Sequence, residues 1–226
     1  MGKFNLVIFD CDGVLVDSEN IANVILLEML NQIGLFITLE DVFNICGGKP
    51  TAVCLEIVQN MLGQSLPDNF AVEFEQRMME AFITDLKPVQ GIHEVLNQLN
   101  LSYCVASNSS HNWIQQALLK TDLLAYFSRK IFSATGTLRS KPHPDVFLYA
   151  AEQMGFSPQE CVVIEDTPTG VMAGVNAGMT VFGYTELIKP EKLREVGASV
   201  VFNDMRLLPE LLEQQNHESL KSTITN

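Results

Sequence analysis

Leu6-Val7-Ile8-Phe9 constrains this chain more than any other stretch: an apolar, partly β-branched run that ends, without a spacer, on Asp10-Cys11-Asp12-Gly13. A run of this kind reads as a buried strand. A buried strand that delivers carboxylates at its C-terminal end is the usual beginning of an α/β functional site. Asp12-Gly13, followed by the apolar Val14-Leu15-Val16, is also a hairpin signal. On that reading Asp12 forms a turn and Asp10 bonds a nearby amide. Only what the rest of the chain brings to these carboxylates separates the two readings.

After Ser18 the apolar period changes from strand to helix. Ile21, Val24, Ile25, Leu27, Leu30 and Ile33 recur at helical spacing, and Gly34 stands where a C-terminal cap belongs. Thr38, followed by Glu40 and Asp41, starts a second helix. Cys46-Gly47-Gly48-Lys49-Pro50 reads as a loop, and Thr51–Leu62 and Pro67–Thr84 as further helices. From Leu15 to Lys87 three basic residues stand against eleven acids, a net of −8 within the chain's −13. An all-helical pattern with its own charge balance suggests a small inserted domain, residues 17–87. The remainder, 1–16 and 88–226, forms the other domain, with Pro88 and Gly91 punctuating the return.

From Pro88 onward strands and helices alternate. Pro88–Asn100 reads as a helix, Leu101–Ser107 as a strand, and the stretch holding Trp113 and Leu118 as a helix with Trp113 in the core. Lys130–Ala134 is a short strand, Pro144–Met154 a helix with Pro144 at its first turn and Gly155 past its end. Cys161–Asp166 is a strand, and Thr167-Pro168 begins a helix with a small-residue face at Gly170, Ala173, Gly174 and Ala177. Thr180–Tyr184 and Ser199–Asn203 are strands, Met205–Leu212 a short helix, and the polar tail beyond about Gln214 is expected to fray. This alternation predicts βαβ units: an α/β fold, a Rossmann-like, mostly parallel sheet with helices on both faces.

Composition excludes several classes. With 47% apolar residues the chain is globular rather than disordered. Its net charge of −13 argues against nucleic acid or an anionic membrane as partner. The five cysteines include no C-x-x-C pair, so neither a disulfide framework nor a zinc site is expected. No basic segment followed by an apolar one opens the chain, and no apolar run of ~18 residues occurs. A reduced, cytoplasmic protein is the expectation; the oligomeric state is left open.

In a parallel sheet the functional groups gather at the carboxyl ends of the strands. Those ends carry Asp10 and Asp12, Ser107 and Asn108, and Glu165 and Asp166. Lys141 stands in the proline-flanked loop Ser140-Lys141-Pro142-His143-Pro144. Four acids in one site repel one another; two unit charges ~4 Å apart cost ~4 kcal/mol at an effective dielectric of ~20. A phosphate would add to this repulsion, so a divalent metal and an ammonium are needed. Hard carboxylate oxygens suit Mg²⁺, Lys141 supplies the ammonium, and Ser107 and Asn108 can donate to phosphate oxygens without adding charge.

Asp-x-Asp-Gly-x-x-x-Asp from Asp10, the strand-end Ser107-Asn108, Lys141-Pro-x-Pro-x-x-Phe147, and Glu165-Asp166 followed by Gly170 together resemble the haloacid dehalogenase superfamily of phosphohydrolases, in its β-phosphoglucomutase-like and phosphoglycolate phosphatase-like branch. The four motifs occur in that family's order, and the helical insert falls where its α-helical cap lies. The resemblance implies Asp10 as nucleophile, taking the phosphoryl group as an aspartyl-phosphate. It implies Asp12 as general acid and then base, and Ser107 and Lys141 as holders of the phosphoryl oxygens. Mg²⁺ would be bound by Asp10, the backbone carbonyl of Asp12, and Asp166, with Glu165 direct or through water. Closure of the cap would exclude water.

The expected activity is Mg²⁺-dependent hydrolysis of a small phosphorylated metabolite, a phosphosugar or sugar-acid phosphate, with Lys49 as the candidate cap contact to substrate. The alternative is a sugar phosphomutase. Mutases resembling this chain carry a histidine where Ala22 stands and an arginine where Pro50 stands, which disfavours that alternative. Asp12 argues against a dehalogenase, which lacks the second aspartate. The Asp-x-Asp spacing and the helical insert argue against a signalling receiver domain.

Overall fold

The computed structural model describes residues 4–46, 51–185 and 188–224. β1 (Leu6–Phe9) is a central strand, as its continuous apolar run requires: Leu6, Val7, Ile8 and Phe9 are all fully buried. Its sheet contains β2 (Ser102–Ser107), β3 (Ile131–Ser133), β4 (Cys161–Glu165), β5 (Thr180–Tyr184) and β6 (Val200–Phe202). The order across the sheet is β3-β2-β1-β4-β5-β6, every neighbouring pair parallel. The chain builds outward from β1 to β3, then returns to β4 and builds the other way. The reversal therefore lies between β1 and β4, where an open α/β sheet forms its crevice.

Register sets which residues share the carboxyl edge. Phe9 pairs with Val105 on one side and Ile164 on the other. One step further, Asp10 is level with Ala106 and Glu165, and its N–H donates to the Ile164 carbonyl at 3.0 Å.

Alternate side chains of the central strands feed opposite faces. Leu6, Ile8, Cys104, Val163 and Val181 pack on one face against Phe147 and Ala151 of α8 (Asp145–Met154), Ala173 of α9 (Pro168–Asn176) and Leu193 of α10 (Pro190–Glu195). On the other face the Phe9 ring meets Phe127 edge to face at 6.3 Å, in α7 (Leu124–Phe127). The remaining helices of this unit are α5 (Ile92–Gln98), α6 (His111–Lys120) and α11 (Leu208–Ile224). This is the α/β, Rossmann-like architecture.

Residues 1–16 with 88–226 form one compact unit and residues 17–87 another. The described residues of the second are helical: α1 (Ser18–Gln32), α2 (Leu39–Cys46), α3 (Thr51–Leu62) and α4 (Phe70–Asp85). Leu26, Met29, Leu30, Val42, Val58, Phe70 and Phe74 make its core. Thr38 and Asp41 bond reciprocally at the start of α2, Thr38 N–H to Asp41 Oδ2 at 2.8 Å and Asp41 N–H to Thr38 Oγ1 at 3.2 Å. No helix among the described residues is long and apolar enough to cross a membrane.

Several elements depart from the periodicity-based expectation. Residues 88–90 are not helical: Pro88 bridges Val16 in antiparallel fashion, and Val89 N–H donates to the Leu15 carbonyl at 3.0 Å. α5 therefore begins only after Gly91, which adopts the left-handed conformation at φ 88°. α7 and α10 are too short, four and six residues, to show a period. α11 runs to Ile224, well past Leu212, although its last turns lack an apolar stripe.

Candidate active site

The turn after β1 shows how a hairpin former and two carboxylates share four residues. Gly13 sits at φ 75°, which favours glycine, and its N–H donates to the Val16 carbonyl at 2.8 Å. Leu15 and Val16 both donate to the Cys11 carbonyl, at 2.9 and 3.1 Å. The turn therefore folds back at once and leaves Asp10 and Asp12 at the sheet edge. Gly13 has a second constraint: a Cβ there would lie 2.1 Å from Asp166 Oδ2. The hairpin and the site are thus one construction.

Lys141 is buried at the centre of the site. Its Nζ donates to Asp10 Oδ1 at 2.6 Å, to Glu165 Oε1 at 2.7 Å and to the Ala106 carbonyl at 3.2 Å. It also lies 4.6 Å from the centroid of the Phe147 ring. Burial alone would pull this ammonium down, but Asp10 and Glu165 outweigh it and hold the group well above its ordinary value. Lys141 is therefore charged. Burial pushes the Asp10 carboxyl up to about 7, with Lys141 opposing and Glu165 and Asp12 adding to the rise.

The Lys141 loop is tied down at three points. Lys141 N–H donates to Asn108 Oδ1 at 2.9 Å, Asn176 Nδ2 donates to the Pro142 carbonyl at 3.2 Å, and Arg139 grips Asp145 through Nε and Nη2 at 3.0 and 2.8 Å. Asn108 thus links the β2 end to the lysine loop. Asn176 is a contributor that its place at the far end of α9 conceals in the sequence.

Glu165 and Asp166 differ in their surroundings. Glu165 is fully buried, and its Oε2 accepts from Asp166 N–H, Thr167 N–H and Thr167 Oγ1, each at 3.1 Å. With Oε1 on Lys141, both of its oxygens are engaged. Oxygens of Asp10, Glu165 and Asp166 lie within 4.8 Å of one another, close enough to surround a metal ion. By distance Glu165 belongs to that trio; by hydrogen bonding it is the brace for Lys141 and for the turn into α9. A metal would have to compete with four donors for this carboxylate.

Ser107 is buried, and its Oγ accepts from Ser109 N–H at 3.1 Å. Asp12 is half-buried, with Oδ2 accepting from Ser109 Oγ at 2.7 Å and Oδ1 from Trp113 Nε1 at 3.3 Å. Neither donor stands out in the sequence. Trp113 is only half-buried, and its indole N–H turns to a carboxylate 101 positions away rather than lying wholly in the core. Ser109 could have been suspected from the hydroxyl-rich run Ser107-Asn108-Ser109-Ser110 at a strand end. Lys49, with Gly47, Gly48 and Pro50, lies outside the described residues.

Comparison with known proteins places this geometry. The family model described as haloacid dehalogenase-like hydrolase matches residues 7–184. The chain is 31% identical to the 6-phosphogluconate phosphatase of Escherichia coli K12 over 80% of this chain and 83% of that one. A haloacid dehalogenase-like protein of unknown function from Agrobacterium tumefaciens superposes with a TM-score of 0.89 at 34% identity, covering 93% of this chain and 98% of the other. A family hydrolase from Deinococcus radiodurans, solved with bound phosphate and sodium, gives 0.86 at 29% identity over 95% and 97%. The match spans β1 through β5 and every motif of the site: this chain belongs to the haloacid dehalogenase-like hydrolases.

Proposed function

We propose that the protein is a Mg²⁺-dependent phosphatase of small phosphorylated metabolites, of the phosphosugar or sugar-acid phosphate type, acting through an aspartyl-phosphate. The observation that carries this reading is the buried Lys141 ammonium, 2.6 Å from Asp10 Oδ1 at the sheet's switch point. It allows a carboxylate nucleophile and a phosphoryl dianion to share one crevice. The substrate type rests on the similarity to 6-phosphogluconate phosphatase.

A carboxylate oxygen of Asp10 attacks phosphorus and the bond to the alcohol oxygen breaks, with Asp12 giving that oxygen a proton. Asp12 then takes a proton from water as the water oxygen attacks phosphorus. The acyl–phosphate bond breaks and Asp10 returns to a carboxylate. Lys141 and the Ser107 hydroxyl hold the phosphoryl oxygens. Mg²⁺, when bound, neutralises the carboxylates and the phosphoryl oxygens. Asp10, Asp166 and the Asp12 carbonyl would hold it, and hard oxygen donors fit that ion. Glu165 acts behind them by fixing Lys141. Residues 17–87 would serve as the cap and choose the substrate, with Lys49 as a cation for its polar end. Ala22 packs partly buried against the core of that unit and offers no group for the proton transfers a mutase requires.

A screen of phosphorylated metabolites with and without Mg²⁺, beside Asp10→Asn, tests the proposal. Turnover should need the metal, favour sugar or sugar-acid phosphates, and vanish in the variant. Activity that survives Asp10→Asn sinks the covalent route.

A further inference from the structure

The loop that leads from β2 into α6 makes a fixture around Asp12. Ser109 is held by its own backbone: its N–H donates to Ser107 Oγ at 3.1 Å and its carbonyl accepts from Ser133 Oγ at 2.7 Å. Trp113 sits in the first turn of α6, where its N–H donates to the capping Ser110 Oγ at 3.2 Å. From these anchored positions the two side chains put one donor on each oxygen of Asp12, at 2.7 and 3.3 Å. Asp12 itself rides on the tight turn through Gly13, and these two donors constrain the direction of its side chain.

We propose that Ser109 and Trp113 are positioning residues that fix the carboxylate plane of Asp12 for proton transfer to and from the reacting oxygen. The inference rests on the phosphatase reading above and adds to it the groups that aim the acid. A carboxylate has about four acceptor sites, so two donors set its orientation without using up its capacity to carry a proton. The two donors also differ in kind. The serine hydroxyl can donate or accept, and follows Asp12 through both of its protonation states. The indole N–H only donates, and so keeps Oδ1 as an acceptor. Both donors come from the segment that runs from the end of β2 into the first turn of α6.

Leaving-group dependence tests this, because an alkyl phosphate needs a proton on its departing oxygen and an aryl phosphate with an electron-poor phenol does not. Ser109→Ala and Trp113→Phe should each lower kcat/KM on a sugar phosphate by about tenfold, a part of the ~100-fold or more that general acid catalysis supplies. On the activated aryl phosphate the loss should stay under about twofold, as expected when little proton transfer accompanies departure. Ser109→Thr, which restores a hydroxyl, should recover most of the sugar phosphate rate. Trp113 is the only tryptophan, so intrinsic fluorescence reads the contact without reference to turnover. Its emission should shift in Asp12→Asn.

Equal losses on both substrates in folded variants, no loss on either, or an unchanged emission in Asp12→Asn would each overturn the role. If Trp113→Phe does not fold, Ser109→Ala and the fluorescence arm decide. A wild-type protein without Asp10-dependent turnover would overturn the phosphatase reading and this role with it. An emission shift that persisted in Asp12→Asn would then identify the chemistry, rather than the contact, as what failed.

Discussion

Asp10 is placed where its charge is least welcome. Three acids, Asp10, Glu165 and Asp166, lie within 4.8 Å, and Lys141 is the ammonium bonded to two of them. Burial first, then Glu165 and Asp12, raise the Asp10 carboxyl from 3.8 to about 7 against the pull of Lys141. The sign of the stability effect follows from linkage. A carboxyl whose folded value lies above its unfolded one stabilises fully at low pH, and that contribution is lost as pH rises through the folded value. Asp10→Asn removes this group. In the metal-free protein the variant should therefore gain thermal stability over wild type as pH climbs from about 4 to about 7, with a constant difference above that. Added Mg²⁺ should narrow the gap by stabilising wild type more than the variant, which lacks one of the carboxylates proposed to hold the ion. Melting curves at several pH values with chelator, then with Mg²⁺, measure it; a gap that narrows between pH 4 and 7 would contradict the assignment. On the proposed reading, the Asp10 charge is kept for function at the expense of stability.

The turn from β4 into α9 sets two tendencies against each other at Gly170. Within a helix, alanine is preferred over glycine by ~1 kcal/mol. Here a Cβ would lie 1.8 Å from Glu165 Oε1 and 2.2 Å from Oε2. Those oxygens cannot swing away, being bonded to Lys141 and to the Thr167 turn. Sterics should win. Gly170→Ala is expected to lose ~1–3 kcal/mol of stability and, by moving Glu165, to lower turnover as well. Chemical denaturation at constant m-value reads the first effect; a variant as stable as wild type would show that Glu165 is not held.

The same elements show what a sequence can carry. β1, β2 and β4 are legible because burial on both faces demands unbroken apolar runs, and the first polar residue after each run marks the sheet edge. Residues 88–90 are not legible, because Pro88 serves equally as a helix start and as an extended partner for Val16. Only the tertiary pairing decides between them. Trp113 is hidden for a similar reason: a lone tryptophan at helical spacing reads as core, and its partner Asp12 is remote in the chain. The engagement of Glu165 by Lys141 on one side and the α9 turn on the other depends on side-chain geometry that no spacing encodes.

On the scale of the whole molecule, each unit has an apolar cluster of its own. The apolar cluster on one face of the sheet, from Leu6 to Leu193, contains no residue between 17 and 87, and the cluster around Leu30 and Phe74 contains none outside that range. The chain leaves the first unit and returns to it at one place. Val16 and Pro88 bridge each other, and the Asp17 N–H donates to the Lys87 carbonyl at 2.9 Å. A short loop can therefore replace the helical unit without moving either end, and closing a short loop adds little entropic penalty. Residues 1–16 joined to 88–226 by a few glycines and serines should unfold cooperatively and keep the Lys141–Asp10 site. Such a protein should still hydrolyse an activated aryl phosphate in an Asp10-dependent way and should lose its preference among sugar phosphates. That separation follows if the first unit holds the chemistry and the second the selection. A shortened protein that folds and still ranks sugar phosphates as the full chain does would place selection in the α/β unit instead; one without a cooperative transition would show that the sheet needs the helices of residues 17–87 to fold.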